Sequence, residues 1–313
     1  MDIFDTKGIK PMLISEQKKA FDSPDWIYEV KLDGIRCIAY LDPVGVTDLR
    51  NKRDKNLLPN VPELTDIHKL VKRKCILDGE LFVLKNGVTD FYEVQRRALM
   101  ADPFKIKLTA AKFPASFTAY DIIYDTDHLV MDLTLMERKN LLSGIIMEND
   151  MLNMSRYIEE NGIALFEAAK QQGLEGVVAK RKDSKYYFGK RTKNWIKFKV
   201  METEDCIICG YIKKANNMTS LILGQYDGQR LIYRGHVTLG VSIRSLMQYR
   251  LRITGISPFE ETPVGNAGAV WLEPELVCIV ESMPTDNESF RQAVFRGIRN
   301  DKTPLECQLR KDI

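Results

Sequence analysis

The sequence predicts an α+β protein of two domains, in which a mixed domain of strands and helices precedes a small domain built mostly of strands. The length of 313 residues suits roughly two domains of about 150 residues each. Strand and helix patterns alternate from Trp26 to about Val200, whereas short strand patterns follow one another after Val200. We therefore predict a first domain over residues 1–202 and a second over residues 203–313.

In the first domain, runs rich in β-branched and aromatic residues predict strands. These runs are residues 27–31, 36–41, 75–84, 117–124, 176–182 and 195–200. Asp90 is a candidate N-cap for a helix that reaches Met100. Thr134 and Glu137 have the spacing of a capping box, which predicts a helix from there to about residue 147. A third helix is predicted over residues 163–172. It ends at Gly173, since glycine is the residue most often found at the C′ position of a helix.

The second domain is predicted to be a small β-barrel, with the OB-fold as the leading candidate. Its predicted strands are residues 205–212, 220–226, 231–237, 269–272 and 276–282, with one helix over about residues 243–253. The pair Asp227 and Gly228 is a turn signal between two of these strands. A chain of short strands interrupted by one helix is typical of small barrels of this kind.

Composition excludes several classes of protein. Hydrophobic residues make up 44% and charged residues 28% of the chain, which excludes disordered, collagen-like and disulfide-scaffold proteins. The net charge is only +3, so the total charge identifies no partner. The N-terminus has no apolar signal-peptide core, and no apolar run approaches the length of a membrane span. We therefore expect a cytoplasmic protein without a membrane partner.

The six cysteines are scattered, which predicts free thiols rather than a disulfide framework. Cys206 and Cys209 form a CxxC, the pattern of half a zinc site, but no second close cluster completes it. Their segment also has a strand pattern, in which residues three apart point to opposite faces. Two buried thiols are therefore the favoured interpretation, with a metal site as the alternative.

The strongest local signal for chemistry is Lys31-Leu-Asp33-Gly34-Ile-Arg36, at the end of a predicted strand. A charged Asp-Gly turn is one interpretation of this segment. The other is a lysine nucleophile, with Gly34 allowing close backbone approach to a phosphate and Arg36 gripping phosphate or ribose oxygens. Lysine suits nucleophilic attack because, unlike arginine, its side chain can lose a proton.

Further motifs follow in order, and together they resemble the ATP-dependent DNA ligases of the covalent nucleotidyltransferase superfamily. The motifs are Arg50-Asn-Lys-Arg, Leu77-Asp-Gly-Glu80, Tyr120-Asp121, Glu175-Gly-Val-Val-Ala-Lys180, Lys190-Arg191…Trp195-Ile-Lys197-Phe-Lys199 and Arg296-Gly-Ile-Arg299-Asn-Asp301-Lys302. The resemblance extends from about residue 26 to residue 305. It implies a nucleotidyltransferase (adenylation) domain with antiparallel sheets and flanking helices, followed by a C-terminal OB-fold β-barrel.

Within that superfamily, the C-terminal segments look most like the ligase region of bacterial Ligase D-type end-joining enzymes. The segments are Gly224-Gln-Tyr-Asp-Gly, Tyr233-Arg-Gly-His-Val, residues 271–274 and residues 295–306. The resemblance implies a minimal two-domain enzyme of DNA repair, without the N-terminal helical DNA-binding domain of larger ligases. It implies ATP and Mg²⁺ (or Mn²⁺) as cofactors and nicked double-stranded DNA as the substrate. A Ku-like end-binding protein is the candidate recruiting partner, and we expect a monomer.

The resemblance also assigns roles to individual residues. Lys31 is the catalytic nucleophile that attacks the α-phosphate of ATP, and nearby cations with partial burial favour its neutral form. The metal ligands are Glu175, which leads, with Glu80 and Asp33, which also lie near the ribose. In the ATP-binding set, Glu29 contacts the adenine edge and Tyr120 stacks on adenine. The residues that contact ribose or phosphates are Arg36, Arg50 and Arg191, and Glu80 also belongs to this set. Lys197 and Lys199 contact the α-phosphate. On the second domain, Arg299, Asp301 and Lys302 engage pyrophosphate, with Arg296 as the alternative to Arg299.

A basic segment between two of these motifs predicts contact with DNA. Residues 180–199 contain nine basic residues and one acidic residue, a local net charge of +8, interleaved with aromatic residues. Such a run is usually a solvated face, but its position between catalytic motifs favours phosphate contact. The predicted DNA-binding residues are Lys180, Arg181, Lys182, Lys185, Lys190 and Lys193. Lys180 is also a weaker candidate for the α-phosphate.

Two other classes of function stay open on the motifs alone. An RNA ligase or an mRNA-capping guanylyltransferase shares the Lys-x-Asp-Gly pattern, although the C-terminal segments favour a DNA ligase. A non-catalytic DNA-end-binding module is the third alternative, and the intact motif set disfavours it. NAD⁺ is disfavoured as the cofactor because the chain has no four-cysteine zinc module.

Overall fold

The computed structural model describes residues 2–214, 218–241, 246, 249, 251–283, 285 and 289–309. The chain forms two compact units, Met1–Lys199 and Val200–Ile313. Their boundary lies three residues before the predicted one. In the described part of the chain, no helix combines the length and apolarity needed to cross a membrane.

The first unit is an α+β domain, with elements numbered in chain order. Its strands are β1 (Leu13–Glu16), β2 (Trp26–Val30), β3 (Ile35–Asp42), β4 (Val46–Asn51), β5 (Cys75–Lys85), β6 (Val88–Thr89), β7 (Ala115–Asp125), β8 (His128–Leu129), β9 (Leu152–Met154), β10 (Tyr157–Glu159), β11 (Gly176–Arg181) and β12 (Arg191–Lys199). Its α-helices are α1 (Ile3–Thr6), α2 (Phe91–Leu99), α3 (Pro103–Lys112), α4 (Leu135–Ile145) and α5 (Gly162–Gln171). Three short 3₁₀ helices, Leu58–Asn60, Pro62–Leu64 and Ile67–Leu70, follow β4.

These strands form two sheets. One has the order β1-β12-β11-β2-β10, and the other the order β4-β3-β5-β7-β8, with β6 beside β5 and β9 beside β7. Pairing is antiparallel except between β1 and β12 and between β7 and β9. The strand that ends just before Lys31, β2, lies between β11 and β10. The sheet order therefore brings the Lys31 motif beside the Glu175 and Lys197 motifs, which are far away in sequence.

The predicted helix signals are confirmed in the first unit. Asp90 caps α2, with its side chain accepting a hydrogen bond from the Glu93 backbone. Thr134 and Glu137 form both halves of the capping box of α4. Gly173 ends α5 with a φ of 66°, a conformation that glycine adopts without strain.

The second unit is a mostly β domain. Its strands are β13 (Glu202–Lys213), β14 (Thr219–Asp227), β15 (Arg230–Val237), β16 (Ile253–Thr254), β17 (Val270–Met283) and β18 (Arg291–Arg299), and a 3₁₀ helix covers Pro304–Glu306. The sheet order is β15-β14-β13-β17, with β16 and β18 both on β17. A bridge between Leu239, just after β15, and Val294 in β18 joins the two ends of this path. The sheet thereby curls round, as the predicted small barrel requires.

The long strand β17 replaces two predicted strands of this unit. The two strands predicted over residues 269–272 and 276–282 are wrong as separate strands, because β17 runs through both. Pro274 is tolerated there because β17 bulges: its residues 272–275 lie opposite the single residue Cys209 of β13, between the pairs Ile208–Leu276 and Gly210–Trp271. The helix predicted over residues 243–253 lies largely outside the described residues.

The two cysteines of the CxxC point to opposite faces of β13, as the strand pattern predicts. Cys206 packs in an apolar cluster with Leu221 and Val280, and Cys209 packs in a different cluster with Phe259 and Trp271. Both thiols are free and fully buried. Burial raises the pKa of each thiol, which keeps both side chains in the neutral form that suits an apolar core.

Candidate functional site

A pocket in the first unit collects five of the predicted site residues. It lies beside the end of β2 and is a space of about 400 Å³ that is partly open to solvent. Among its lining residues are the predicted Glu29, Lys31, Glu80, Tyr120 and Lys180. Ile14 and Trp195 also line it. Glu29 and Lys31 therefore share one face, as strand alternation predicts.

Lys31 lies in the first position after β2 and is held by its backbone and its side chain. Its backbone N–H donates to the Gly176 carbonyl at 2.9 Å. Its Nζ donates to Glu175 Oε2 at 2.6 Å, and the two side chains are 20% and 5% exposed. The ammonium and the leading predicted metal ligand are therefore in direct contact. The nearest charged group to Nζ in this pair is thus a carboxylate, whereas the sequence predicted cationic neighbours.

Gly34 is needed for packing within the protein. A Cβ at this position would collide with the carbonyl oxygen of Leu81 on β5 and with the Glu80 side chain. The close backbone approach that the motif predicted at Gly34 is therefore an approach to β5, the strand that carries Glu80.

Glu29 is almost completely buried between two lysines. Its side chain is 3% exposed, with Oε1 2.5 Å from Lys139 Nζ and Oε2 2.8 Å from Lys180 Nζ. Burial opposes the charge on Glu29, but the two lysines outweigh it and lower the pKa of Glu29. For Lys180 burial dominates and lowers the pKa to about 8. The base of the pocket thus holds an ionised carboxylate that is fixed from both sides.

Two aromatic rings form another wall of the pocket. Tyr120 and Trp195 meet edge to face, with ring centroids 6.1 Å apart. Lys180 Nζ lies 4.4 Å from the Tyr120 centroid and 4.3 Å from the Trp195 centroid. A cation this close to two ring faces is stabilised by them, which helps to retain a charge inside the pocket.

Arg36 is locked in place by a partner that sequence reasoning left without a role. Its guanidinium binds both carboxylate oxygens of Asp78, at 3.0 and 2.6 Å, and the Met12 carbonyl at 2.5 Å. Asp78 is fully buried and also accepts a hydrogen bond from the Tyr186 hydroxyl at 2.7 Å. The arginine is therefore oriented behind Tyr120, 5.7 Å from its ring centroid. In the sequence, the only signal for Asp78 was its place in the Leu77-Asp-Gly-Glu80 motif.

Glu80 is a carboxylic acid that resists ionisation. Burial raises its pKa to about 8, against the opposing effect of Lys31 and Arg36. Glu80 is thus mostly neutral at pH 7, whereas Glu175 is in contact with an ammonium. Among the described residues, no group of three His, Cys, Asp or Glu side chains is arranged to hold a metal ion. Mg²⁺ in nucleotide sites commonly uses one or two carboxylates and completes its shell with phosphates and water. Glu175 fits that donor set, and Glu80 fits it when ionised.

The predicted phosphate residues are divided among three places. Lys197 and Lys199 lie on one face of β12, as predicted, and both contact the carboxylate of Glu16. Arg191 is exposed and donates to the Ile14 carbonyl. Arg50 is held by Asp48 at the end of β4. Within residues 2–214, all of which are described, none of the predicted phosphate-contacting residues Arg36, Arg50, Arg191, Lys197 and Lys199 lines the pocket itself.

The basic segment predicted to bind DNA is only partly on the surface. Lys180 is 2% exposed and paired with Glu29, so its predicted contact with DNA is wrong: it faces the pocket. Trp195 and Tyr186 are also buried in the core. The other predicted DNA-binding residues are partly or fully exposed: Arg181, Lys182, Lys185, Lys190 and Lys193. Arg181, Lys182 and Lys185 have acidic partners, namely Asp183, Glu159 and Asp132.

In the second unit, the predicted pyrophosphate residues gather around Asp205. Arg299 binds both Asp205 oxygens, at 3.1 and 2.9 Å, and both Asp301 oxygens, at 3.0 and 2.6 Å. Lys302 also contacts Asp205. Arg296 instead pairs with Glu281. Arg299 and Lys302 therefore form one cluster, and Arg296 lies outside it.

Comparison with known proteins covers both units. The family model described as ATP dependent DNA ligase domain matches residues 10–199, and that described as ATP dependent DNA ligase C terminal region matches residues 214–302. The multifunctional non-homologous end joining protein LigD of Mycobacterium bovis is 28% identical over 97% of this chain. The chain spans 40% of the length of that relative. DNA ligase C1 of Mycolicibacterium smegmatis is 29% identical, with 98% of this chain and 94% of the relative covered.

A solved structure supports the same assignment. Mycobacterial DNA ligase D complexed with ATP and MES has a TM-score of 0.56 and 27% identity, and the match covers 99% of this chain and 100% of that chain. The predicted fold class, an α+β nucleotidyltransferase domain followed by an OB-fold, is confirmed by this likeness. Because a ligase family model matches more than half of its residues, the chain belongs to the ATP-dependent DNA ligases.

Proposed function

We propose that this chain seals nicks in double-stranded DNA with ATP, through a covalent lysyl-AMP at Lys31 and a DNA-adenylate. The observation that carries the proposal is the position of Lys31 in a pocket with an aromatic wall, in contact with Glu175. The proposed reaction has three transfers. Lys31 attacks the α-phosphate and releases pyrophosphate, AMP passes to the 5′-phosphate at the nick, and the 3′-hydroxyl displaces AMP.

Lys31 must present a neutral amine when it attacks. An ammonium has no lone pair to donate, so the attacking amine must first lose a proton. The contact with Glu175 positions Nζ in the pocket. Lys197 and Lys199 lie two strands away on β12.

The nucleotide base is selected at Glu29 in this proposal. Its ionised carboxylate, held by Lys139 and Lys180, accepts hydrogen bonds and donates none. Adenine presents an amino group at its edge, where guanine presents an oxygen, so an acceptor favours ATP over GTP. Tyr120 supplies an aromatic surface for the purine.

Glu175, Glu80 and Asp33 are the residues that would hold Mg²⁺ or Mn²⁺. A bound divalent cation offsets negative charge on the phosphoryl group during transfer. Glu175 is the first candidate of the three, because the raised pKa of Glu80 makes that side chain a poorer ligand at neutral pH.

The cellular role that we propose is DNA end joining. The Mycobacterium bovis relative is named for non-homologous end joining, and this chain corresponds to 40% of it. A Ku-like end-binding protein is then the recruiting partner, and the chain acts as a cytoplasmic monomer on DNA. Exposed lysines of the basic segment, such as Lys190 and Lys193, contact the DNA backbone.

Labelling with ATP tests the nucleophile. Incubation with ATP labelled in the α-phosphate and Mg²⁺ should yield a covalent protein–AMP adduct. Lys31→Ala should abolish the adduct, and Lys31→Arg should do the same because a guanidinium keeps its proton. An adduct that persists in both variants would exclude Lys31, and preferential labelling by GTP would favour a guanylyltransferase.

A nick-sealing assay tests the substrate. A singly nicked DNA duplex and a matched RNA duplex are each incubated with the protein, ATP and Mg²⁺, and sealed strands are counted. DNA should be sealed faster. Faster sealing of RNA would identify an RNA ligase, and adduct formation without sealing of either duplex would contradict the ligase proposal.

A further inference from the structure

The Glu16 carboxylate contacts both Lys197 and Lys199, the two lysines assigned to the α-phosphate. Glu16 Oε2 lies 3.2 Å from Lys197 Nζ and 3.3 Å from Lys199 Nζ. The lysine side chains are 23% and 13% exposed, whereas that of Glu16 is 54% exposed. An exposed carboxylate thus bridges two mostly buried lysines.

Strand register places this bridge beside the pocket. Glu16 ends β1, directly opposite Lys197 on β12, and the Gln17 N–H donates to the Lys197 carbonyl. On the other side of β12, Lys197 is opposite Val178, which lines the pocket. Lys199 is opposite Gly176, whose carbonyl holds the Lys31 backbone. The bridged lysines therefore lie along the same wall as the nucleophile.

The charges of this cluster act on one another. Burial, followed by the charges of Lys199 and Lys31, lowers the pKa of Lys197. Burial opposes the charge on Glu16, but the lysines outweigh it and lower the pKa of Glu16, so the carboxylate is ionised at neutral pH. One carboxylate shared by two lysine ammonium groups presents the same contacts as a phosphate oxygen would.

We propose that Glu16 is a positioning residue that holds Lys197 and Lys199 together in the nucleotide-free site and is displaced by the phosphates of the nucleotide. The inference rests on the proposed function, since it takes the lysine pair as the phosphate subsite. Two anions cannot share the lysines without repulsion, and Glu16 is the member that can turn outward, because half of its side chain already faces solvent. Glu16 thereby weakens the binding of phosphates in particular.

The test compares nucleotide affinity in Glu16→Gln and wild type, measured by calorimetry on the full chain without DNA. The amide keeps the shape of the side chain and removes its charge. ATP should bind about two- to fivefold more tightly to Glu16→Gln, the range expected for one solvent-exposed charge pair. Adenosine, which carries no phosphate, should bind equally to both proteins. The difference for ATP should shrink at high salt, because screening weakens exposed charges.

Glu159→Gln is the matched control. Glu159 is 49% exposed and pairs with Lys182 on the same unit, so this change removes a similar charge from a similar surface. ATP affinity in the control should equal that of wild type. Unchanged or weaker ATP binding in Glu16→Gln, or an equal gain in the control or for adenosine, would overturn the inference.

Adduct formation at Lys31 is recorded in the same samples to separate the two proposals. If wild type forms the adduct while Glu16→Gln binds ATP no better, the inference on Glu16 fails and the proposed function stands. If no protein forms the adduct but Glu16→Gln binds ATP more tightly, the phosphate subsite stands and the ligase proposal fails.

Discussion

At the scale of single residues, the pocket depends on charges that are buried and paired. Glu29 has a lysine on each carboxylate oxygen, and all three side chains are at most 6% exposed. Removing one member of such a group leaves an uncompensated charge in a poorly solvated place, and this effect is larger than the loss of an exposed ion pair. Stability and nucleotide binding are therefore coupled at Glu29.

Glu29→Gln should lower the free energy of unfolding by about 3–5 kcal/mol, the range for breaking a buried ion pair. Lys139 and Lys180 would keep their positive charges without a counter-charge. Urea denaturation of the nucleotide-free protein measures the change. Glu159→Gln, at an exposed pair, should change it by less than about 1 kcal/mol. Equal effects of the two substitutions would show that Glu29 is not buried with its partners.

Glu80 predicts a specific dependence on pH. Its pKa is raised by burial from 4.5 to about 8, so the folded state binds a proton more tightly than the unfolded state. The stability from this proton is fully present below pH 4.5 and is lost as the pH rises through 8. From pH 5 to pH 8, wild type should lose at least about 1.4 kcal/mol relative to Glu80→Gln, the equivalent of one pKa unit.

Denaturation of both proteins across that pH range provides the measurement. Glu260→Gln is the control, because Glu260 is 66% exposed on the second unit. Its difference from wild type should not change with pH. Parallel pH profiles for wild type and Glu80→Gln would contradict the raised pKa.

At the scale of elements, the basic segment between β11 and β12 separates into two sets of lysines. Lys180 is inside the pocket, while Lys190 and Lys193 are exposed. The charge run alone predicted one DNA-binding surface. Alternation on β11 directs Lys180 to the pocket and its neighbour Arg181 to solvent. Lys190 lies just before β12 and Lys193 near its start, where both are exposed.

Substituting Lys190 and Lys193 together by Ala should weaken binding to a nicked duplex and lower the salt slope of log K by about 2, or about 1 per phosphate contact. Fluorescence anisotropy at several salt concentrations measures both quantities. Lys69→Ala should leave them unchanged, because Lys69 is 64% exposed and lies outside the segment. A salt slope equal to that of wild type in the double variant would exclude these lysines from DNA contact.

At the scale of the whole molecule, two units divide the predicted chemistry. The first carries the proposed nucleophile Lys31 and the pocket, and the second carries the Arg299 and Lys302 cluster on Asp205. The prediction from family resemblance is that this cluster engages the pyrophosphate leaving group, which requires the second domain to close over ATP. Because pyrophosphate is released only in the first transfer, such a contact should affect self-adenylation and not the two later steps.

Lys302→Ala and Arg299→Ala should therefore each slow self-adenylation at least about tenfold, a conservative value for a charged group that stabilises a transition state. Both should seal a pre-adenylated nick at close to the wild-type rate. Arg296→Ala is the comparison, since Arg296 pairs with Glu281 apart from the cluster. Equal loss in both steps for Lys302→Ala, or a larger loss in Arg296→Ala than in Arg299→Ala, would contradict the assignment.

Local signals were sufficient for the elements and for the motif residues. The capping box at Thr134, the glycine at residue 173 and the strand pattern before Lys31 each depend on neighbours within a few residues, so the sequence alone determines them. The order of the motifs also predicted that Glu29, Tyr120 and Glu80 belong to one site, and all three line the pocket. These residue types suit nucleotide chemistry wherever the fold assembles them.

Only the tertiary structure decided which groups meet. Lys31 and Glu175 are 144 residues apart, Glu16 contacts lysines of a strand near the end of the first unit, and Asp78 was not a candidate until Arg36 was found against it. Burial and strand pairing set these contacts, because a charge becomes catalytic, structural or inhibitory according to what lies within a few ångströms of it. The sequence by itself determined the family and the division into two units, and it predicted Lys31 as the nucleophile. Long-range packing decided that Lys180 faces the pocket, that burial raises the pKa of Glu80 and that Glu16 contacts Lys197 and Lys199.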